Sequence, residues 1–280
     1  MGPLLFLTLF VLVSPRFSTA QGSDGESYYE KMSRAVIRLE YRDGSSFKPL
    51  GTAFFVKSGS DQLFVVTARH VADQKFDLRA RVPSLHLTTH QTSVVELRLP
   101  SERWVFHPEP GDSETWPVDV AAMRIPGVKD RSISIFQYCP ETCPDGSRDQ
   151  LLVDPLPPQS VHIFGYPLDL GFELREPRPL ARQGMVALTT SERFIRTGPR
   201  GGSKKLAPAK TFLVDVDAFG GNSGSPVVTY PETNLLGLVS ASNDSLDYAI
   251  SMPVEFIREV LNEAAKQPFE PFGTWRTLPE

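Results

Sequence analysis

Cysteine is scarce in this chain of 280 residues, and neither sign of charge dominates it. Two cysteines are too few for a disulfide scaffold or a multi-cysteine zinc site. The 29 Lys and Arg against 33 Asp and Glu leave a net charge of −4, which gives no electrostatic reason to expect nucleic-acid binding. With 20 Gly and 25 Pro, the chain is interrupted too often for long helices. The composition indicates an ordinary globular protein.

The chain also lacks an apolar run at its N-terminus that is long enough to span a bilayer comfortably. Residues Leu4–Val13 are apolar but short, and the small residues Ser18–Ala20 follow Pro15 and Arg16. This arrangement is typical of a secretory signal peptide cleaved after Ala20. An uncleaved anchor or a buried strand is the alternative. We expect residues 1–20 to be removed, and the mature protein to be secreted or periplasmic without stable membrane insertion.

Short β-rich segments make up most of the remaining chain. They are rich in β-branched or alternating apolar residues and are bounded by Gly and Pro. The predicted strands are residues 35–41, 51–56, 63–67, 94–99, 118–125, 160–164, 184–188, 211–214, 226–229, 235–239 and 248–251. One helix is predicted at 253–266, where Pro253 suits the first turn and apolar residues form one stripe. These elements indicate two β-barrel-like lobes followed by a terminal helix.

Three segments carry residues suited to nucleophilic catalysis. Ser223 lies in the glycine-rich stretch Phe219–Pro226, where glycines permit a tight turn and close approach of a substrate. His70 follows a buried strand, and an imidazole titrates near neutral pH. Asp119 interrupts an apolar strand, where a carboxylate needs a partner. Taken singly, each has a plain structural alternative: a β-turn, a surface histidine or a capping aspartate.

The order His70, Asp119, Ser223 is much more specific than any one segment. Together with the motifs TARHV, VDVAAM and GNSGSP, it resembles the trypsin-like serine peptidases of the chymotrypsin fold over residues 33–265. Residues 160–167, 184–186, 236–240 and 249–253 are similar to the second lobe of HtrA/Deg peptidases. GNSGSP also resembles the secreted glutamyl endopeptidases.

This resemblance implies an all-β fold of two six-stranded antiparallel β-barrels with a C-terminal α-helix. The expected organisation is a signal peptide at 1–20, an N-terminal extension at 21–32, a peptidase domain at 33–267 and a tail at 268–280. Within the domain, the first barrel would cover about 33–126, the connection 127–159, the second barrel 160–252 and the helix 253–267. The short tail leads us to expect no PDZ domain of the HtrA kind.

The resemblance also assigns roles to single residues. His70 would be the general base, Asp119 its orienting acid and Ser223 the nucleophile. The amides of Gly221 and Ser223 would form an oxyanion hole, and residues 240–242 (Ser240, Ala241 and Ser242) would bind substrate backbone by β-addition. The implied activity is that of a secreted serine endopeptidase that acts on proteins or peptides without a cofactor or metal. A catalytically silent homologue that binds peptides or proteins is the alternative.

Three positions differ from the family pattern or leave its reading open. Asn222 replaces the Asp that pairs with a new N-terminus in digestive members, so activation through that ion pair is not expected. Asp217 would lie at the base of the specificity pocket and select Lys or Arg, or else close the preceding strand as a structural residue, which we favour. Val239 stands where glutamyl endopeptidases have His, which disfavours specificity for glutamate.

The two cysteines, Cys139 and Cys143, lie close together in a Pro-rich segment. In an oxidising compartment they are expected to form a small local disulfide, with free thiols or a metal pair as alternatives. The sequence does not fix the natural substrate, its side-chain preference or the oligomeric state.

Overall fold

The β-rich segments form strands in the computed structural model of the chain. It describes residues 27–59, 62–86, 92–109, 111–112, 115–127, 131–139, 148–151, 153–167, 178–191, 195–197, 204–206, 210–243, 247–269 and 275–277. The predicted signal peptide therefore lies outside the described residues.

The first lobe is a ten-stranded sheet. Its elements along the chain are α1 (Tyr28–Ala35), β1 (Val36–Asp43), β2 (Ser46–Ser58), β3 (Gln62–Thr67), α2 (Arg69–Ala72), β4 (Leu78–His86), β5 (Thr92–Leu99), a 3₁₀ turn (Ser101–Arg103), β6 (Val105–Phe106), β7 (Ala121–Ile125), β8 (Arg131–Ser132) and β9 (Phe136–Tyr138). Near the C-terminus, β18 (Arg276–Thr277) joins the same sheet. The strand order is β18-β5-β4-β1-β2-β3-β7-β6, with β8 paired to β4 and β9 to β2.

This sheet has more strands than the six-stranded barrel expected for the first lobe. The additional strands β8 and β9 lie in the predicted connection 127–159, and β18 lies in the predicted tail 268–280. The length of β2 explains β9: β1 pairs with β2 only as far as Phe54, and β9 runs parallel to residues 56–58. The strand β9 thus supplies hydrogen-bond partners for backbone groups that β1 does not reach.

The second lobe is a closed, antiparallel barrel of six strands, which confirms the prediction for this lobe. The strands are β10 (Ser160–Gly165), β11 (Leu180–Thr190), β14 (Thr211–Asp215), β15 (Pro226–Thr229), β16 (Leu235–Asn243) and β17 (Tyr248–Pro253), and they close in the order β10-β11-β14-β17-β16-β15. A separate hairpin is formed by β12 (Ile195–Thr197) and β13 (Lys204–Leu206).

The predicted terminal helix is present as α3 (Val254–Lys266). Its apolar stripe packs on β7 of the first lobe and on β16 of the second, so it ties the two lobes together. Sequence analysis missed α1, although Ser27 and Glu30 form a capping box at its start. In the described parts of the chain, no helix combines the length and apolar character needed to cross a membrane.

The buried apolar side chains form two clusters. The larger one fills the first lobe and continues through α3 to one side of the second barrel. The smaller one lies inside the second barrel and includes Val161, Val186, Phe212 and Leu236. Because one core spans both lobes, residues placed at the boundary between them are held by packing from both sides.

Candidate active site

The pairing of β3 with β7 brings His70 and Asp119 together. Thr67, the last residue of β3, lies opposite Ala121, the first residue of β7. His70 follows Thr67 at the start of the short helix α2, and Asp119 lies two residues before β7. A helix that begins at the end of one strand and a loop that leads into its neighbour therefore meet at the same edge of the sheet.

The Asp119 carboxylate accepts hydrogen bonds from His70 and from Ser240. His70 approaches it twice, with 2.8 Å between Nδ1 and Oδ2 and 2.9 Å between the backbone N and Oδ1. The hydroxyl of Ser240, on β16 in the second lobe, donates to Oδ2 as well. The Asp119 side chain is 9% exposed and that of His70 is 39% exposed. The acid is thus buried and held by hydrogen bonds, while the imidazole reaches the surface.

These contacts determine which ring nitrogen of His70 carries the proton in the neutral state. A carboxylate only accepts hydrogen bonds, so Nδ1 must be the protonated nitrogen that faces Asp119. Nε2 then carries the free lone pair. This is the arrangement that a general base requires.

Residues 219–225 follow β14 and lead directly into β15, and they carry the predicted nucleophile Ser223, so we call them the nucleophile loop. Its turn depends on Gly221 and Gly224, which have φ values of 95° and 86° in the region that favours glycine. A Cβ at Gly224 would also overlap Thr52 O and Thr67 Oγ1 of the first lobe. Both glycines are therefore needed for the shape of the loop, and Gly224 also for its contact with the first lobe.

Backbone hydrogen bonds use three of the seven amides of this loop. Asn222 N donates to Phe219 O at 3.0 Å, Gly224 N to Val239 O at 2.7 Å and Ser225 N to Asn222 O at 2.9 Å. Within the part of the chain that the structure describes, the amides of Gly221 and Ser223 donate no hydrogen bond. Those are the two amides expected to receive a developing oxyanion.

Ser223 lies beside the helix that carries His70. A Cβ placed on Gly51 would come within 2.9 Å of Val71 Cγ2 and 3.1 Å of Ser223 O, so the backbone of Ser223 and the residue after His70 border the same space. Among the described residues, no hydrogen bond joins Ser223 Oγ to His70 Nε2. Such a bond is often long in enzymes without substrate and shortens in the complex.

Sequence analysis missed Thr52, a fully buried residue of β2 that touches the nucleophile loop at two points. Its backbone N donates to Ser223 O at 2.9 Å, and its hydroxyl donates to Gly221 O at 2.8 Å. The hydroxyl also accepts a hydrogen bond from Tyr166 N at 3.0 Å. The only signal in the sequence was its place after Gly51 in a β-rich run, which by itself indicates nothing more than a strand.

Residues 240–242 lie on β16 next to the site. The pairing of β15 with β16 ends at Leu238, whereas the pairing of β17 with β16 continues to Asn243. Ser240 is buried and bound to Asp119, while Ala241 and Ser242 are half-buried. The structure therefore assigns Ser240 a contact with the acid, in addition to the expected place beside substrate backbone.

Asp217 is exposed, at 64% of its side chain, and lies beside Arg182 of β11. Arg182 Nη1 donates to Asp217 O at 2.9 Å and lies 3.9 Å from Asp217 Oδ2. The Arg182 guanidinium also stacks on Phe219, 4.5 Å from the ring centre. The Arg182 guanidinium thus already lies next to the Asp217 carboxylate, which would otherwise attract a basic side chain of a substrate.

The structure also describes the surroundings of two other residues singled out in the sequence, Asn222 and Cys139. Asn222 is buried, and its Oδ1 borders Gly165 of β10, where a Cβ would come within 2.5 Å of it. Cys139 is buried at the end of β9, and its predicted partner Cys143 lies outside the described residues. Among the described residues, no group of three or more His, Cys, Asp or Glu side chains is placed to hold a metal ion.

Comparisons with known proteins agree with this architecture. Residues 51–238 match the model of the trypsin-like peptidase domain family. No curated protein matches the sequence. The active form of the Rv3671c protease from M. tuberculosis has a similar fold, with a TM-score of 0.52 and 16% identity over 86% of this chain and 84% of that one.

Two other solved structures share the fold. One is the MamO protease domain from Magnetospirillum magneticum, with a TM-score of 0.50 and 16% identity over 82% of this chain and 97% of that one. The other is a serine endoprotease from Yersinia pestis, with a TM-score of 0.50 and 15% identity over 85% of this chain and 67% of that one. The family match, which covers more than half of the sequence, shows that the chain belongs to the trypsin-like peptidase domain family and is a serine-type peptidase.

Proposed function

We propose that this peptidase is a secreted endopeptidase that cleaves peptide bonds through an acyl-enzyme, with Ser223, His70 and Asp119 as its catalytic triad. The observation that carries the proposal is the buried Asp119 carboxylate, which accepts hydrogen bonds from the ring and the backbone of His70. It fixes the imidazole so that Nε2 faces away from Asp119, available to a nucleophile on the neighbouring loop.

The proposed reaction has two halves. Ser223 Oγ attacks the peptide carbonyl carbon while His70 Nε2 takes its proton, and the amides of Gly221 and Ser223 stabilise the oxyanion. His70 then gives the proton to the leaving amine, which departs and leaves an ester on Ser223. Water attacks that ester with His70 again as base, which releases the carboxylic acid and restores Ser223.

Labelling with a fluorophosphonate probe tests this assignment. The wild-type protein should be labelled on one serine and should hydrolyse a peptide ester, and Ser223→Ala should abolish both. Ser33→Ala is the matched control, since the Ser33 hydroxyl lies on α1 and binds Glu30 O. Ser33→Ala should be labelled as the wild type is. Labelling that persists in Ser223→Ala would contradict the assignment.

The second candidate function is a silent homologue that binds peptides or proteins without cleaving them. It is favoured by one observation, the absence of a hydrogen bond between Ser223 and His70 among the described residues. A crystal structure of the phosphonate adduct separates the two. If the protein is an endopeptidase, the phosphorus should be bonded covalently to Ser223 Oγ and the phosphonyl oxygen should be bound by the amides of Gly221 and Ser223. A silent homologue should form no adduct.

We propose that extended substrate backbone binds beside residues 240–242, and that Asp217 does not select basic side chains. The end of the β15–β16 pairing at Leu238 supports the first statement, and the Arg182 guanidinium beside Asp217 supports the second. A peptide library cleaved by the wild type and by Asp217→Asn tests the role of Asp217. The two proteins should show the same preference. A preference for Lys or Arg that disappears in the variant would place Asp217 in the specificity pocket.

Secretion rests on the sequence of residues 1–20 alone. N-terminal sequencing of the protein recovered outside the cytoplasm should give Gln21 as its first residue. In the same sample, Cys139 and Cys143 should react with a thiol reagent only after reduction, as the predicted disulfide requires. A mature protein that retains Leu4–Val13 would contradict cleavage after Ala20.

A further inference from the structure

We propose that Thr52 is a positioning residue for the oxyanion hole: through its hydroxyl and its amide, the first lobe fixes the direction of the Gly221 and Ser223 amides of the second. This inference rests on the proposed catalytic function of the nucleophile loop. It adds to that function a residue from the opposite lobe that touches neither the substrate nor the reacting atoms.

The argument starts from the geometry of a peptide unit. The unit is planar and trans, so its N–H and its C=O point in opposite directions and turn together. The direction of an amide can therefore be held by fixing the carbonyl of the same unit, or by fixing the units on either side of it. In the nucleophile loop, both ways are used.

The two units that flank the Ser223 amide are each held at both ends, and Thr52 holds one end of each. In the first, Asn222 N donates to Phe219 O and Gly221 O accepts from the Thr52 hydroxyl. In the second, Gly224 N donates to Val239 O and Ser223 O accepts from Thr52 N. The unit between them is held by Ser225 N, which donates to Asn222 O and leaves the Ser223 N–H pointing away from Ser225.

The Gly221 amide depends on Thr52 more directly. The Gly221–Asn222 unit is fixed by the Thr52 hydroxyl, and the φ of 95° at Gly221 then sets the direction of the amide that precedes it. Gly220 and Gly221 have no side chains that would resist rotation of this segment. Without the hydroxyl, the buried Gly221 carbonyl loses its partner, and the peptide can turn to find another one.

The Thr52 hydroxyl is itself held in place. It accepts a hydrogen bond from Tyr166 N, and Thr52 O accepts one from Thr67 Oγ1 at 2.6 Å. Thr67 is the last residue of β3, three positions before His70. Thr52, one buried residue, therefore joins the strand end that leads to the proposed base, through its backbone oxygen, to the loop that carries the proposed nucleophile, through its hydroxyl and its amide.

Thr52→Val tests the inference, because valine keeps the shape of the side chain and removes the hydroxyl. Per active site, kcat for a peptide ester should fall on the order of 10- to 100-fold with KM within about twofold, since an oxyanion donor acts mainly on the transition state. Affinity for a peptide boronate, whose tetrahedral adduct uses the same amides, should fall in parallel. Thr52→Ser should restore both values.

Thr229→Val is the matched control. Thr229 is another buried threonine. Its hydroxyl accepts a hydrogen bond of 3.1 Å from the amide of Asn234 in the turn between β15 and β16. The kcat of Thr229→Val should stay within about twofold of the wild-type value. Thr52 is not a positioning residue if Thr52→Val keeps kcat, if Thr52→Ser loses as much as Thr52→Val, or if Thr229→Val loses as much.

Crystal structures of the wild type and Thr52→Val keep this test separate from that of the proposed function. If the wild type neither hydrolyses esters nor reacts with fluorophosphonate, the proposed function fails, and the structures still decide the role of Thr52. A Gly221–Asn222 peptide that turns in Thr52→Val supports the inference. A nucleophile loop that is unchanged in Thr52→Val overturns it.

Discussion

The two lobes contribute to the site in opposite ways. The first lobe is a sheet of ten strands in its described parts, and it places His70 and Asp119 at the neighbouring ends of β3 and β7. The second is a closed barrel of six strands, and it places Ser223 on a glycine-dependent loop between two strands. The proposed base and acid thus lie directly beside the ends of two paired strands, whereas the proposed nucleophile depends on an irregular turn.

Each lobe also contacts the proposed catalytic residues of the other, or the loop that carries them. Ser240 of the second lobe donates to Asp119, and Thr52 of the first lobe donates to Gly221 and Ser223 of the nucleophile loop. A loop on its own would leave its amides free to turn, and a buried carboxylate on its own would be costly. The contacts across the boundary fix the loop amides and give the carboxylate a further hydrogen bond. They also make the geometry of the site depend on how the lobes pack.

The largest effect should come from breaking the pair that the first lobe builds. Asp119→Asn keeps the shape of the side chain but presents an amide, which favours the wrong tautomer of His70. We expect kcat to fall by a factor on the order of 10⁴, as in the Ser-His-Asp triads of trypsin-like peptidases, and the free energy of unfolding to fall by roughly 1.5–3 kcal/mol because hydrogen bonds to a charged group are lost. Ester hydrolysis and urea unfolding measure the two quantities. A loss below about tenfold would mean that Asp119 does not orient the base.

The next effect tests how closely the loop of the second lobe fits the first. Gly224→Ala meets an unfavourable φ of 86° and an overlap with Thr52 O and Thr67 Oγ1. Gly44→Ala, in the turn between β1 and β2, meets a φ of 62° but has no atom within 4 Å. The free energy of unfolding should fall by about 1–2 kcal/mol for Gly44→Ala.

Gly224→Ala should lose a further ~1–3 kcal/mol because of the overlap, and it should also lose catalytic activity. Gly44→Ala should keep its activity, since its turn lies away from the nucleophile loop. Urea unfolding and ester hydrolysis distinguish the two variants. Equal losses of stability in both would show that the fit between the loop and the first lobe contributes nothing beyond the backbone conformation.

A smaller effect should follow from removing the support that the second lobe gives to Asp119. Ser240→Ala deletes the hydrogen bond from Ser240 to the carboxylate and leaves the two from His70. A hydrogen bond to a charged group contributes roughly 1.5–3 kcal/mol to stability, so the free energy of unfolding in urea should fall by about this amount, whereas kcat should fall less than about tenfold because both hydrogen bonds from His70 remain. Ser251→Ala, in the neighbouring strand β17, removes a buried hydroxyl that has no partner among the described residues and is the control. Its kcat should be unchanged.

The sequence could predict the contributions of each lobe better than the contacts between them. His70, Asp119 and Ser223 interrupt apolar or glycine-rich patterns, so each residue stands out locally. Thr52 does not, because a threonine in a β-rich run is ordinary, and its partner Gly221 is 169 positions away. Arg182 and Asp217 are also brought together only by the pairing of β11 with β14.

The same limit applies to the fold. Most of the long strands carried recognisable patterns, although the nine-residue strand β4 was not predicted, and the predicted second barrel is confirmed. The strands β8, β9 and β18 have only two or three residues each, which is too short for a periodic pattern, and they exist because longer strands leave edges to be paired. The capping box of α1 was present in the sequence, but eight residues give a helix little periodicity.

The smallest effect concerns a histidine of the second barrel, which contrasts with the exposed His70. His162 packs with the rings of Tyr28, Phe164 and Tyr230, and this burial lowers its pKa. Burial also raises the pKa of Tyr28, so the Tyr28 phenol stays neutral. The unfolded chain therefore binds the His162 proton more readily than the folded one. The stability that the neutral ring contributes is fully present above its ordinary pKa of 6.5 and is lost as the pH falls through the lower pKa of the folded state. The free energy of unfolding, measured in urea at pH 7.5 and at pH 5, should decrease less between these two pH values in His162→Asn than in the wild type. Equal decreases would mean that His162 titrates alike in the folded and the unfolded chain.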